Sequence, residues 1–402
     1  AGRDARAVHA AEMAMRTPSK HSLLPGPMCT WYLRGLGARV VRVESPDGAD
    51  FLRHAPPLDE RGDGAWFSSL HAGKESVALN LKIPSHREAF LALLTEADVL
   101  IESFRPGVMA RLGLDPNDLR RRFPTLVICS LTGFGQDGPL RELPAYDQII
   151  QGMSGVMSIT GGPENAPYRV GYPMADTIGG LTAAFAISAA LSKTPEERGC
   201  FIDVSMLEAV MSTMGWVVSN YLVAGKEPAP MGNDNITASP SGTFNTGDGL
   251  LNIAANKQEQ FEALCDVVGR PDLIGDPRFA DRQARLNNRA VLVEELEAAL
   301  ASDTAAAWRR SLNKAGVPAG RVLSVQQALS HPQIADRGLV SKFENVPGVG
   351  RDVEVAGAGF KIDGRAPRTE FPAPQLGEHT RDILSELNYT PEEIDVLEQE
   401  KA

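Results

Sequence analysis

The chain has 402 residues, 43% of them hydrophobic and 23% charged, a balance ordinary for a globular protein and long enough for two or three domains. Its net charge of −11 argues against a nucleic-acid partner, which needs a basic face, but leaves room for a local basic pocket. No apolar run reaches the roughly 20 residues of a membrane helix; the nearest, 181–191, reads as a buried helix, and four scattered cysteines without a leader-like apolar start fit a reducing cytoplasm.

Residues 1–22 show no periodicity and read as a weakly structured appendage. Pro25-Gly26-Pro27 opens a helix that runs to about residue 37, and a β-branched strand follows at 38–43. After a polar loop at 46–65 come a strand at 76–81, a helix at 85–96, a strand at 98–102, a helix at 115–123 and a strand at 125–130. Strands alternating with helices predict an α/β fold with a parallel, doubly wound sheet. The pattern continues with a Gly/Pro loop at 133–144, a helix at 146–157, a loop at 161–175, a small-residue helix at 176–192, a strand at 201–204 and an apolar helix at 206–222. The composition turns to Pro, Gly and Asn at 225–241, which predicts a boundary between a large domain, 1–225, and a small α+β domain, 226–330. The small domain opens on a hairpin, 242–245 and 250–254, turned by Gly247-Asp248-Gly249. Helices at 257–268, 288–301 and 304–315 and a strand at 321–323 complete it. From about 330 the chain reads as irregular until an acidic helix at 391–401.

Several chemistries fail on their local context. Gly133-Phe134-Gly135-Gln136-Asp137-Gly138 spells a dinucleotide fingerprint after a strand, but Pro139 and Pro144 forbid the helix that must open on it. The seven histidines form no HxH or HxxxH pair and no cysteine stands at ligand spacing, so no metal site is expected. Gly152-Met153-Ser154-Gly155 is one residue short of a nucleophile elbow. Asp176 differs, because it closes a Gly/Pro loop and opens a helix. A carboxylate there is favoured by free N–H groups and the helix dipole, which keep it ionised as a nucleophile must be. Its bland alternative is a plain helix N-cap. Gly179 and Gly180 beside it leave room for a substrate to reach the backbone. Lys74, Arg105 and Arg111 lie at or after strand ends, where open α/β sheets bind ligands, and they suit phosphate groups.

In order and spacing these segments resemble the family III coenzyme A transferases, the group that includes formyl-CoA and carnitine CoA-transferases. The likeness covers more than nine-tenths of the chain, from about Leu23. It rests on Leu24-Pro25-Gly26-Pro27, on Leu36-Gly37-Ala38-Arg39-Val40-Val41-Arg42-Val43-Glu44 and on the lysine segment Gly73-Lys74-Glu75-Ser76. It continues in Glu102-Ser103-Phe104-Arg105-Pro106-Gly107-Val108-Met109, close to "ENFRPG", and in Thr132-Gly133-Phe134-Gly135-Gln136-Asp137-Gly138-Pro139, close to "SGFGQxGP". Tyr146-Asp147, Gln151-Gly152-Met153-Ser154-Gly155 and Ala175-Asp176 with Gly180 complete it.

The resemblance implies a Rossmann-like large domain completed by residues 331–402, a small domain between, and two chains interlocked as a homodimer. It implies that Asp176 attacks an acyl-CoA donor and passes through a mixed anhydride and an aspartyl-CoA thioester, so that coenzyme A moves to a second carboxylic acid. Coenzyme A is then a cosubstrate rather than a tightly bound cofactor. By the same resemblance Lys74, Ser103, Phe104, Arg105, Met109, Arg111, Gly133, Gly135 and Tyr146 contact it, N–H groups near Leu24 and in the 133–138 loop face the oxyanion, and Tyr146, Tyr172 and Asn235 are acceptor-side candidates. Leu24 stands where the formyl-CoA branch carries Gln, and Ala254-Ala255-Asn256-Lys257 replaces its glycine run, which speaks against formyl or oxalyl transfer. The alternative inside the superfamily is an α-methylacyl-CoA racemase, which needs a His where this chain has Tyr146, a poor base at neutral pH.

Overall fold

A computed structural model describes residues 9–14, 24–47, 50–367 and 369–400. The chain divides into two compact units. The first holds the described residues up to Val156, Arg169–Lys226 and those from Gln333 on; the second holds Met157–Tyr168 and Glu227–Pro332. The stretch 157–168 thus leaves the large unit for the small one, which its Gly/Pro composition alone does not reveal.

In the first unit the β-branched runs become strands and the segments between them helices. In chain order they are β1 (His9–Ala14), α1 (Pro25–Gly35), β2 (Arg39–Glu44), α2 (Ala65–His71), β3 (Glu75–Ala78), α3 (Pro84–Glu96) and β4 (Val99–Glu102). There follow α4 (Val108–Arg111), α5 (Pro116–Arg122), β5 (Val127–Thr132), α6 (Asp147–Met153), α7 (Met174–Leu191), α8 (Pro195–Arg198), β6 (Cys200–Ser205), α9 (Met206–Thr213) and α10 (Trp216–Ala224). The six strands form one parallel sheet in the order β3-β2-β1-β4-β5-β6. That order reverses direction between β1 and β4, which makes the crevice beyond their carboxyl ends the place for a ligand.

The strands alternate strictly. Leu100 and Ile128 face a core closed by α3, while Val99, Ile101, Val127, Cys129 and Leu131 face one closed by α1, α7 and α9.

Three expectations change here. The segment read as an appendage contributes β1, a central strand registered His9↔Arg39 and Ala10↔Val99; the rest of 1–22 lies outside the described residues. The apolar helix expected at 206–222 is two helices, broken where Gly215 takes a left-handed φ of 53°. Helix α7 spans 18 residues, longer than the apolar run read at 181–191, and by length and composition alone could cross a membrane. Half of it is nevertheless buried inside this unit, with Gly179, Gly180, Ala183, Ala184 and Ile187 inward.

The second unit packs β7 (Ser241–Asn245), β8 (Leu250–Ala254) and, after α11 (Gln258–Val267), α12 (Arg282–Asn287), α13 (Arg289–Leu300) and α14 (Ala305–Lys314), the strand β9 (Ala319–Arg321). These strands make an antiparallel sheet over a core that includes Phe244, Phe261, Leu292 and Leu296. Two short helices follow, α15 (Val325–Leu329) and α16 (Pro332–Arg337). The tail expected to be irregular carries an antiparallel hairpin, β10 (Val340–Phe343) and β11 (Val353–Ala356), and two helices, α17 (Thr380–Glu386) and α18 (Pro391–Gln399). Ile383, Leu384, Ile394 and Leu397 enter the core beside α3. Ahead of α17 the chain seals the open edge of β3, where Gly377 N–H donates to Ser76 Oγ at 2.9 Å and His379 N–H to Ser76 O at 2.9 Å.

Candidate active site

Helix α7 starts at Met174, two residues earlier than expected, with Pro173 at the cap position. Asp176 is therefore not the N-cap but sits inside the first turn, buried, with 8% of its surface exposed. Its Oδ1 meets no hydrogen-bond donor among the described residues. A buried polar atom without a partner is costly and is a mark of function. Burial, with the Asp147 carboxylate second, pushes the Asp176 carboxyl up to about 8. Burial thus works against the ionised form that the helix N-terminus was expected to favour.

The groups around Asp176 come from α6. Asp147, its first residue, accepts from Ala175 N–H at 2.7 Å and from Asp176 N–H at 3.5 Å. Gln151, one turn later and fully buried, donates Nε2–H to Asp147 Oδ2 at 2.7 Å and accepts from Val170 N–H at 2.8 Å. The sequence reading quoted both residues but assigned them no role. Their i, i+4 spacing is the signal that pairs them. Tyr146, at the α6 cap, and Tyr172, whose carbonyl accepts from Gln151 at 3.3 Å, are both exposed at the ring. Asn235 belongs to the other unit, where it lines a polar groove of its own.

The room expected around Gly179 and Gly180 is filled by protein. A Cβ on Gly180 would come within 2.6 Å of Met28 Cβ and 2.8 Å of Pro25 O, and one on Gly179 within 2.9 Å of Met206 Cγ. These glycines let α7 pack against α1 and α9. The same opening turn meets the crevice from its other side, because a Cβ on Gly26 would lie 2.7 Å from Ser103 Oγ.

Beyond β4 and β5 lies a cleft of about 500 Å³. Arg105 and Met109, both read from the sequence, line it. Arg120, Arg141 and Gln136, to which sequence reasoning gave no role, line it too; Arg120 and Arg141 are charges on polar stretches that carry no signal of their own, and Gln136 is legible only as part of the glycine loop. Arg105 is exposed, as is Arg111, whose guanidinium lies beside Gly107. Phe104 is largely buried in the sheet core, and its N–H donates to Glu102 Oε2 at 2.7 Å. Glu102 also accepts from Ser130 Oγ, and burial pushes its carboxyl up to about 7.

The 133–138 loop runs from this cleft toward α6. Gln136 lines the cleft, while a Cβ on Gly133 would lie 2.2 Å from Ala145 Cβ. Gly135 takes a φ of 88°, and its N–H donates to Thr132 Oγ1 at 3.0 Å, as Gln136 N–H does to Asp203 Oδ2 at 2.9 Å. Two amides expected to face an oxyanion are therefore already engaged. Lys74 is likewise taken up inside the protein. Its Nζ donates to Glu12 at 2.9 Å, to Thr30 Oγ1 at 2.6 Å and to Pro27 O at 3.1 Å, and its side chain has no exposed surface. The structure thus gives two clusters, Asp176 with α6 and the arginine-lined cleft, and sets Lys74 apart from both as a buried ion pair.

Comparison with known proteins places these features in a family. The sequence pattern of "CoA-transferase family III" matches residues 20–380. The chain is 39% identical over 366 residues to the acetyl-CoA:oxalate CoA-transferase of Acetobacter aceti, covering 88% of this chain and 94% of that one. It is 34% identical to the succinyl-CoA:glutarate CoA-transferase of Mus musculus, over 91% of this chain and 84% of that one. It is 34% identical to the succinyl-CoA:mesaconate CoA-transferase of Haloarcula marismortui, over 90% and 93%. Among solved structures, a CaiB/BaiF family protein from Brucella suis superimposes with a TM-score of 0.82 at 34% identity, covering 94% of this chain and 98% of that one.

Proposed function

The chain belongs to CoA-transferase family III, and from that premise we propose that Asp176 is the nucleophile that carries coenzyme A from an acyl-CoA donor to a dicarboxylic acid. The observation that carries this reading is the buried carboxyl with an unpartnered Oδ1, raised to about 8. A carboxylate held at that value is more basic than a free one, hence a stronger nucleophile once ionised. Its anhydride and thioester are neutral. The burial that penalises the ion therefore favours both covalent intermediates. The Asp176 carboxylate adds to the donor carbonyl, the C–S bond breaks, and coenzyme A leaves as thiolate. The thiolate then attacks the Asp176 carbonyl carbon and expels the donor acid as carboxylate. The acceptor carboxylate runs the same steps in reverse.

The arginine-lined cleft supports a site for the coenzyme's phosphates, with Arg105, Arg120 and Arg141 as their partners and Met109 beneath. Lys74 is left out of that set, since its ammonium is fully buried and bonded to Glu12, Thr30 and Pro27 O. The three relatives are named for oxalate, glutarate and mesaconate, all dicarboxylates, which supports a dicarboxylate acceptor here; the oxalate relative runs against the expectation that Leu24 and residues 254–257 disfavour oxalyl transfer. All four cysteines are free thiols, in keeping with a cytoplasmic setting.

The test is to incubate the protein with succinyl-CoA, acetyl-CoA and glutaryl-CoA, quench, and measure intact mass. A CoA-sized, hydroxylamine-sensitive adduct on Asp176, absent from Asp176→Ala, is the expected result. No adduct with any donor, together with solvent deuterium entering the α-position of a 2-methylacyl-CoA, would overturn it in favour of a racemase.

A further inference from the structure

Helix α7 carries the nucleophile yet has no cap of its own, because Pro173 offers no side-chain acceptor. The cap comes from another helix. Asp147 Oδ1 accepts from Ala175 N–H at 2.7 Å and lies 3.5 Å from Asp176 N, and Oδ2 accepts from Gln151 Nε2 at 2.7 Å. Gln151 passes the restraint on to the loop before α7 through Val170 N–H at 2.8 Å and Tyr172 O at 3.3 Å. Both side chains are at least nine-tenths buried. One carboxylate thus fixes the first turn of α7 and, through an amide, the loop that leads into it.

We propose that Asp147 is a positioning residue for the transfer: with Gln151 it clamps the helix bearing Asp176, and its charge drives the nucleophile toward the CoA-loaded state. The proposal rests on the reading of Asp176 as nucleophile. Once Asp176 ionises for attack, the start of α7 holds two carboxylates, because Asp147 is bonded to its first backbone N–H groups. In the net half-reaction Asp176 carboxylate and acyl thioester become aspartyl thioester and free carboxylate, so one of the two charges leaves the pair and the repulsion is relieved. The other titratable groups on the elements packed against α7 are Cys29, Tyr32 and Arg34 on α1, Cys129 on β5, Cys200 and Asp203 on β6, Glu208 on α9 and, at its far end, Glu196, Glu197 and Arg198 on α8. None of them contributes to the rise of Asp176, whereas Asp147 does.

Three variants separate the clamp from the charge. Asp147→Asn keeps an acceptor oxygen and removes the charge. It should move the rising limb of kcat/KM about one pH unit toward acid and lower the aspartyl-thioester equilibrium about tenfold at a fixed succinyl-CoA to succinate ratio. Asp147→Ala removes the clamp as well and should lower kcat about 100-fold, with the acyl-CoA KM within about threefold of wild type. Gln151→Ala leaves the charge in place and should lower kcat without moving the pH limb. Asn should recover most of the kcat that Ala loses. An unchanged pH limb and thioester equilibrium in Asp147→Asn, or a rise in KM with kcat intact in Asp147→Ala, would overturn the proposal while the wild-type adduct still stands. No adduct in the wild type would instead remove the nucleophile reading, and this proposal with it.

Discussion

Asp176 sits between opposed influences. The start of a helix favours an anion by up to about 2 kcal/mol. Burial and the neighbouring Asp147 act the other way, and raising a carboxyl from about 4 to about 8 corresponds to roughly 5 kcal/mol against its charged form. Two consequences follow, with opposite signs. For catalysis the free enzyme must lose that proton, so kcat/KM should climb with pH, reach half its maximum near 8 and level off above it. For stability the folded chain holds the proton more tightly than the unfolded chain does. Stability is then fully present below the ordinary carboxyl value and is lost as pH rises from about 4 to about 8. Asp176→Asn removes the titration. It should abolish transfer and stabilise the fold by about 2 to 4 kcal/mol at pH 7, a gain that shrinks toward zero near pH 4. Urea unfolding of both proteins across that range measures it. Equal stability of the two at every pH would show that Asp176 is an ordinary exposed acid.

Between elements, the contact of α7 with α1 depends on a missing side chain. Gly180→Ala improves helix propensity by nearly 1 kcal/mol. The new methyl, however, meets Pro25 O at 2.8 Å, a backbone atom that cannot swing aside. Overpacking of that kind costs about 1–3 kcal/mol, so a net loss of roughly 1–2 kcal/mol in urea unfolding is expected, and a gain would mean the helices stand further apart. The same pair of glycines marks where reading the sequence stops. Their presence beside Asp176 was legible; whether they admit a substrate or a helix depends on Met28 and Met206, which lie far away in the chain. The strands β2 to β6 were legible within about two residues, except that β3 ends at Ala78 rather than 81, because apolar β-branched runs between turn residues carry their own signal. Strand β1 was not, since its central Glu12 looks like a surface charge until Lys74 and Arg42, from later segments, neutralise it. The role of Asp147 was hidden for a similar reason. Its link to Gln151 is marked by spacing, but its bonds to α7 go to backbone N–H groups 28 and 29 positions on, and no side-chain pattern marks a backbone partner.

At the scale of the whole molecule the first unit leaves too much apolar surface in water. Helix α10 is hydrophobic apart from Ser219 and Asn220, WVVSNYLVA, yet Val217 is its one buried residue. Leu222 is 74% exposed, Val223 87%, and Phe185 on α7 75%, with Trp216 and Tyr221 more than half exposed. A helix so largely apolar belongs in an interior, and a surface of this kind marks an interface. We propose that its occupant is a second copy of the chain, interlocked with the first as the resemblance to family III transferases implies. Burying a Leu or Val is worth about 1.5–3 kcal/mol each, so charging both Leu222 and Val223 to Glu should weaken association by at least about 100-fold. Size-exclusion chromatography with light scattering should find a dimer for the wild type and a monomer or aggregate for the double variant. Interlocking adds a kinetic signature that a simple face-to-face dimer lacks. Threaded chains can part only by unfolding, so two differently tagged dimers mixed under native conditions should yield no mixed dimer over hours, and should yield it after denaturation and refolding. Rapid exchange would leave the dimer and remove the interlock, whereas a monomeric wild type at micromolar concentration would remove both.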